Sequence, residues 1–65
     1  MTVHRYLTRL RVENAARLLR ASRLNMTEIA LATGFEGSNY FSHVFRAEMG
    51  CSPKAYRAAT REEQA

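Results

Sequence analysis

Sixty-five residues make room for one small domain, and a core of that size hides roughly 60% of the surface the unfolded chain exposes. At 46% hydrophobic and 25% charged residues, the composition excludes a disordered chain. Ten basic residues, nine of them Arg, oppose six Glu for a net charge of +4, which favours a polyanionic partner such as nucleic acid or an acidic membrane surface.

With no Asp, two His and one Cys, the chain is poorly supplied for a metal cage, a disulfide framework or a carboxylate dyad, and no cofactor is expected. Cys51 reads as a small packing or surface residue rather than a nucleophile, and a single Cys gives no sign of an oxidising compartment. No apolar run approaches the roughly 18 residues of a membrane span. The N-terminus lacks the apolar stretch and cleavage signal of a secretory peptide, so the cytoplasm is the default location.

The first predicted element runs from Val3 to Ala21. Val3, Leu7, Leu10, Ala15, Leu18 and Leu19 recur at helical spacing, with Arg5, Arg9, Arg11, Arg17 and Arg20 between them. Thr2 is its cap. Ser22, Arg23 and Leu24 break the pattern. Asn25-Met26-Thr27-Glu28 then reads as a capping box, in which Asn25 accepts from the backbone three residues on and Glu28 reaches back. A short helix from Met26 to about Thr33 follows, with Ile29 and Ala30 on its inner face. Gly34 stands where the chain leaves that helix through the left-handed region.

Phe35-Glu36-Gly37 is a tight connection. Ser38 to Met49 is the next helix, with Tyr40, Phe41, Val44, Phe45 and Met49 as its apolar positions, and Gly50 ends it. Ser52 as cap and Pro53 at the first helical position open a closing helix to about Thr60. Arg61 to Ala65 reads as a polar, frayed tail. The fold class is therefore all-α, one domain with a long N-terminal helix and three shorter ones. Charge divides unevenly along it: residues 1–23 hold six Arg and one Glu, whereas residues 24–45 hold two Glu and no Lys or Arg.

Thr2-Val3-His4-Arg5-Tyr6 resembles Ser52-Pro53-Lys54-Ala55-Tyr56 at an offset of 50, which chance or an internal repeat would explain. Thr2 and Ser52 read as caps, His4 as a bystander, and Tyr6 and Tyr56 as core-edge residues rather than base-stacking platforms. Ile29 to Phe45 is the informative stretch. A short helix, a turn containing Gly and a longer helix make a helix-turn-helix. Ala30 suits the crossing of the two helices, Phe35 the gap between them, and Phe41, Val44 and Phe45 the buried face of the second. A second helix of this kind enters the major groove by its N-terminal half. The exposed positions there are Ser38, Asn39, Ser42 and His43, with Arg46 one turn on. Asn pairs bidentately with adenine, Ser and His donate or accept at several base edges, and Arg reaches guanine or phosphate. The plainer alternative is a solvated helix face. The Arg-rich first helix likewise either tracks phosphates, lies on an anionic membrane or is only a soluble outer face.

Tyr6-Leu7, Arg9-Leu10-Arg11, Ala15-Ala16, Leu18-Leu19, Ile29-Ala30, Gly34-Phe35, Tyr40-Phe41-Ser42, Phe45-Arg46, Gly50, Ser52-Pro53 and Tyr56-Arg57 together resemble the AraC/XylS family of bacterial transcription regulators, over about residues 2–57. The resemblance implies a DNA-binding domain of two helix-turn-helix units joined by a linker helix. Residues 3–21 would be that linker, 26–49 the second unit with its recognition helix at 38–49, and 52–60 the closing helix. Ser38, Asn39, Ser42, His43 and Arg46 would then meet bases, with Thr27, Lys54 and Arg57 contacting or supporting the DNA backbone. The family's first unit and its regulatory domain have no counterpart here. Gly37 stands where a capping Ser is common, and His43 where Arg is common.

Three function classes follow. The first is sequence-specific binding of duplex DNA. The second is a helical interaction or dimerisation module that buries Leu7, Leu10 or Val12 against a partner, a second copy included. The third and weakest is an enzyme, because no nucleophile–base pair, metal spacing or phosphate-cradling Gly loop occurs.

Overall fold

The computed structural model describes residues 2–64. Four helices follow in order: α1 (Val3–Ala21), α2 (Met26–Ala32), α3 (Ser38–Met49) and α4 (Pro53–Gln64). The described residues contain no strand and no helix long and apolar enough to cross a membrane.

The start signals act as their side chains suggest. The Thr2 hydroxyl accepts from the Arg5 N–H at 3.2 Å, and the Ser52 hydroxyl accepts from the Ala55 N–H at 3.1 Å. At α2 the capping box is closed in both directions: the Glu28 N–H donates to Asn25 Oδ1 at 2.8 Å, and the Asn25 N–H donates to Glu28 Oε1 at 3.0 Å. The end of α1 is closed by Ser22, whose N–H and hydroxyl both donate to the Leu18 carbonyl. At the end of α2 the Phe35 N–H reaches the Ala30 carbonyl at 2.8 Å and the Gly34 N–H reaches Leu31 at 3.3 Å. That paired 6→1 and 5→2 closure needs a left-handed residue between helix and turn, and Gly34 supplies it at φ +94°.

The core is assembled from one arc of each of the first three helices, with Tyr56 of α4 packed against it. Val12, Ala15, Ala16 and Leu19 come from α1, Ile29 and Ala30 from α2, Phe41 and Phe45 from α3, and Phe35 from the turn. The aromatic residues form a chain. Phe35 lies 5.2 Å from Phe41 between ring centroids, Phe41 lies 5.7 Å from Phe45, and Phe45 meets Tyr56 of α4 edge-on at 5.5 Å. Tilted and edge-to-face contacts of this kind are worth about 0.5–1.5 kcal/mol each beyond area burial. Ala30 is fully buried, as the close approach of α2 to its neighbours requires.

Several expectations change. Val3, Leu7 and Leu10 are exposed, because only the second half of α1 crosses the other helices; Val12 is buried in the chain's own core and is not a partner-facing residue. On α3 the inward arc is Phe41 and Phe45, four residues apart. Tyr40 and Met49 lie off that arc and are exposed, and Val44 is half-buried. The fourth helix continues past Thr60 to Gln64 rather than giving way to a polar tail at Arg61. Nothing between Pro53 and Gln64 breaks a helix, and Ala, Arg, Glu and Gln are strong helix formers. Ala65, the last residue of the expected tail, lies outside the described residues.

Candidate nucleic-acid interface

Helical periodicity separates the two faces of α3. With Phe41 and Phe45 turned inward, Asn39, Ser42, His43 and Arg46 fall at i, i+3, i+4 and i+7, a single stripe on the other side. Asn39, His43 and Arg46 are exposed, and Ser38 and Ser42 are half-buried at the edge of the stripe. Gly37 is the N-cap of α3 and offers no side-chain acceptor to its first N–H groups. That end keeps free donors and the positive end of the helix dipole. The polar stripe therefore starts at the helix end that favours anions.

The remaining expected residues lie on neighbouring elements. Thr27 is exposed in the first turn of α2, and Lys54 is exposed in the first turn of α4. Arg57 is placed differently. It is half-buried, and its guanidinium donates from Nε to the Leu19 carbonyl at 3.2 Å and from Nη2 to the Ser22 carbonyl at 3.4 Å. It closes the C-terminal end of α1, where a cation opposes the negative end of the dipole. Burial, and then the nearby charge of Arg61, lower its pKa from the ordinary arginine value.

Two features had no place in the sequence reading. Arg11 of α1 lies across the turn: a Cβ added at Gly34 would stand 3.0 Å from Arg11 Nε. Gly34 is thus favoured chiefly for its backbone conformation, with Arg11 lying close across it. The second is a cleft between the end of α1 and α4, lined by Arg20, Arg23, Arg57 and Arg61. The 54, 57, 61 spacing on α4 was the available signal for it, since residues three and four apart share a helix face. Its junction with α1 is tertiary and cannot be read along the chain.

A short helix capped by Asn25, a glycine turn and a second helix with a polar outward stripe define a helix-turn-helix domain. Residues 1–59 match the protein family described as "Helix-turn-helix domain". The chain belongs to this family, a helix-turn-helix domain of the AraC type. It is 45% identical over 62 residues to the HTH-type transcriptional activator RhaR of Enterobacter sp. (strain 638), covering 95% of this chain and 22% of that protein. It is 51% identical over 57 residues to RhaR of Cronobacter sakazakii, covering 88% of this chain and 20% of the relative. The chain thus spans about a fifth of the length of these relatives. Among solved structures, the DNA-binding domain of AdpA, a global transcriptional factor, in complex with a target DNA superposes with a TM-score of 0.93 at 36% identity, over 97% of this chain and 57% of that one. The C-terminal domain of AraT, a response regulator from Geobacillus stearothermophilus, gives 0.89 at 39% identity, over 91% of this chain and 49% of that one.

Proposed function

We propose that this domain binds duplex DNA sequence-specifically, as part of a bacterial transcription regulator, with α3 in the major groove. Asn39 and His43 take base edges, with Ser38 and Ser42 beside them and Arg46 one turn on at a guanine or a phosphate. Thr27 and Lys54, in the first turns of α2 and α4, take phosphates that set register. Arg57 supports this arrangement by fixing the end of α1. The observation that carries the reading is the exposed stripe of Asn39, His43 and Arg46 on the side of α3 opposite its buried phenylalanines. The domain does no catalysis, works without a cofactor, and acts in the bacterial cytoplasm on the nucleoid.

The test is a titration of labelled duplexes at rising salt, for the wild-type chain and for Asn39→Ala. Binding that weakens steeply with salt, and a base preference that relaxes in the variant, support the reading. A wild-type chain that leaves every duplex unbound at low salt rejects it.

A second reading rests on Val3, Tyr6, Leu7 and Leu10, which are 77%, 54%, 44% and 38% exposed along the first half of α1. Apolar side chains gathered on one segment mark a contact surface. A preceding helix-turn-helix unit, like that of the family's two-unit domain, would cover them, and so would a second copy of this chain. Sedimentation across a concentration range separates the two: a strict monomer removes the homodimer.

A further inference from the structure

Four of the six residues that line the cleft between the end of α1 and α4 are arginines: Arg20, Arg23, Arg57 and Arg61. Its volume is about 580 Å³, and Ala21 and Ser22 complete its wall. Among the described side chains, which end at Arg61, none of these arginines is in an ion pair; the one pair described is Arg9 with Glu13, elsewhere on α1.

Three of the four are held in place by the protein. Arg57 donates to the Leu19 and Ser22 carbonyls, and Arg61 donates to Ser22 at 3.4 Å. Arg20 donates to the Tyr56 hydroxyl, and its guanidinium carbon lies 6.0 Å from the centre of that ring. A guanidinium has five N–H donors. Arg57 uses two on the protein and Arg20 and Arg61 one each, so most of the donors remain. Capping the end of α1 explains Arg57 and Arg61. It does not explain why Arg20 and Arg23 stand beside them, where four like charges repel one another.

A polyoxygen anion resolves that repulsion, because guanidinium pairs with phosphate bidentately and in fixed geometry. The cleft also adjoins, along the chain, the starts of α2 and α4, where Thr27 and Lys54 are exposed. Arg23 is two residues before Asn25, the cap of α2, and Lys54, Arg57 and Arg61 lie at i, i+3 and i+7 on α4. A basic line thus runs from the first turn of α4 into the cleft, and Arg23 joins it to the start of α2.

We propose that this cleft binds phosphodiester groups of the same duplex that α3 reads, extending backbone contact beyond the helix-turn-helix. The assignment rests on the DNA-binding reading above. Arg23 and Arg61 are exposed and supply sequence-independent affinity; Arg20 and Arg57 set the shape of the site.

The experiment uses Arg23→Gln/Arg61→Gln, which leaves the main cap of α1 intact, and checks its fold by circular dichroism. Affinity for a duplex is measured across a salt series. Loss of two phosphate contacts flattens the slope of log affinity against log salt by about 2 and weakens binding at least tenfold at low salt, while Asn39→Ala keeps the wild-type slope. In parallel, inorganic tripolyphosphate is titrated and the Arg Nε–Hε resonances are followed. Shifts at Arg57 and Arg61 with little change at the His43 ring locate the anion in the cleft. An unchanged salt slope in a folded double variant overturns the proposal while leaving DNA binding by α3 intact. Tripolyphosphate shifts without any duplex binding reject the DNA-binding reading and leave a phosphate site. Absence of those shifts overturns the site itself. Binding of an acidic peptide that the double variant loses, with the duplex slope unmoved, assigns the cleft to a protein partner and also overturns the proposal.

Discussion

Gly34→Ala is the most direct probe of how the helix-turn-helix is held. The residue sits at φ +94°, and a Cβ there would stand 3.0 Å from Arg11 Nε and 3.5 Å from Arg11 Cδ. The left-handed region costs an L-residue about 1–2 kcal/mol relative to glycine. The contact adds less, because the atoms met are the far end of a flexible, exposed side chain that can swing away. A loss of about 1–2 kcal/mol is expected, which in a domain of this size lowers Tm by roughly 4–16 °C. Thermal melts of Gly34→Ala, Arg11→Ala and the double variant divide the two causes. Backbone strain persists when Arg11 is shortened, so the double variant recovers only a small part of the loss. A Gly34→Ala variant that melts within a degree of wild type would refute the reasoning, and so would full recovery on removing Arg11. Gly37→Ala is the control. It lies in extended backbone with nothing within 4 Å of an added Cβ, and its cost is confined to a poorer N-cap, on the order of 1 kcal/mol or less.

Phe45→Ala removes a fully buried ring in contact with both Phe41 and Tyr56. The expected cost of about 3–5 kcal/mol leaves the chain largely unfolded at room temperature by circular dichroism. Asn25→Ala opens the capping box of α2 and costs about 1 kcal/mol, read as a lower urea midpoint with an unchanged m-value. Arg57→Gln removes a charged donor from the Leu19 and Ser22 carbonyls, and a drop of about 1–2 kcal/mol is expected in the same assay. Asn39→Ala leaves the melting temperature within a degree or two of wild type. Its effect is a loss of about 1–3 kcal/mol of base discrimination, measured by competition between duplexes that differ at single positions.

The elements were legible because their punctuation is local. Thr2, the Asn25–Glu28 pair, Gly34, Gly50 and Ser52-Pro53 each act through backbone groups within a few residues of themselves, and such groups are visible along the chain. The outward stripe of α3 was legible for a related reason: once Phe41 and Phe45 are inward, a period of 3.6 leaves no other place for Asn39 and His43. The failures are tertiary. An apolar spacing marks a face of α1 but not how far along it the other helices reach, so Leu7 and Leu10 look the same as Val12 in sequence and differ in burial. Arg57 shows its charge in the sequence but not its partners, which are carbonyls 35 and 38 residues away. The end of α4 is unmarked in the sequence because polar residues without apolar spacing resemble a tail, although their intrinsic propensity is helical.

The division of α3 has a consequence for how recognition can change. Its packing is concentrated in Phe41 and Phe45, both fully buried, while Asn39 and His43 are exposed and contribute nothing to the core. Substitution at the outward positions therefore alters what the helix meets without altering how it is held. The support is spread more widely. Tyr56 packs on Phe45 and accepts from Arg20, and the next residue, Arg57, grips the end of α1. One turn of α4 thus ties α3 to α1 through two adjacent side chains. If α3 reads bases as proposed, a change at Tyr56 or Arg57 would shift α3 as a body and weaken its base contacts together. A change at Asn39 or His43 would alter one contact and leave the others in place. Comparing base-preference profiles for the two kinds of variant separates positioning from readout on a single chain.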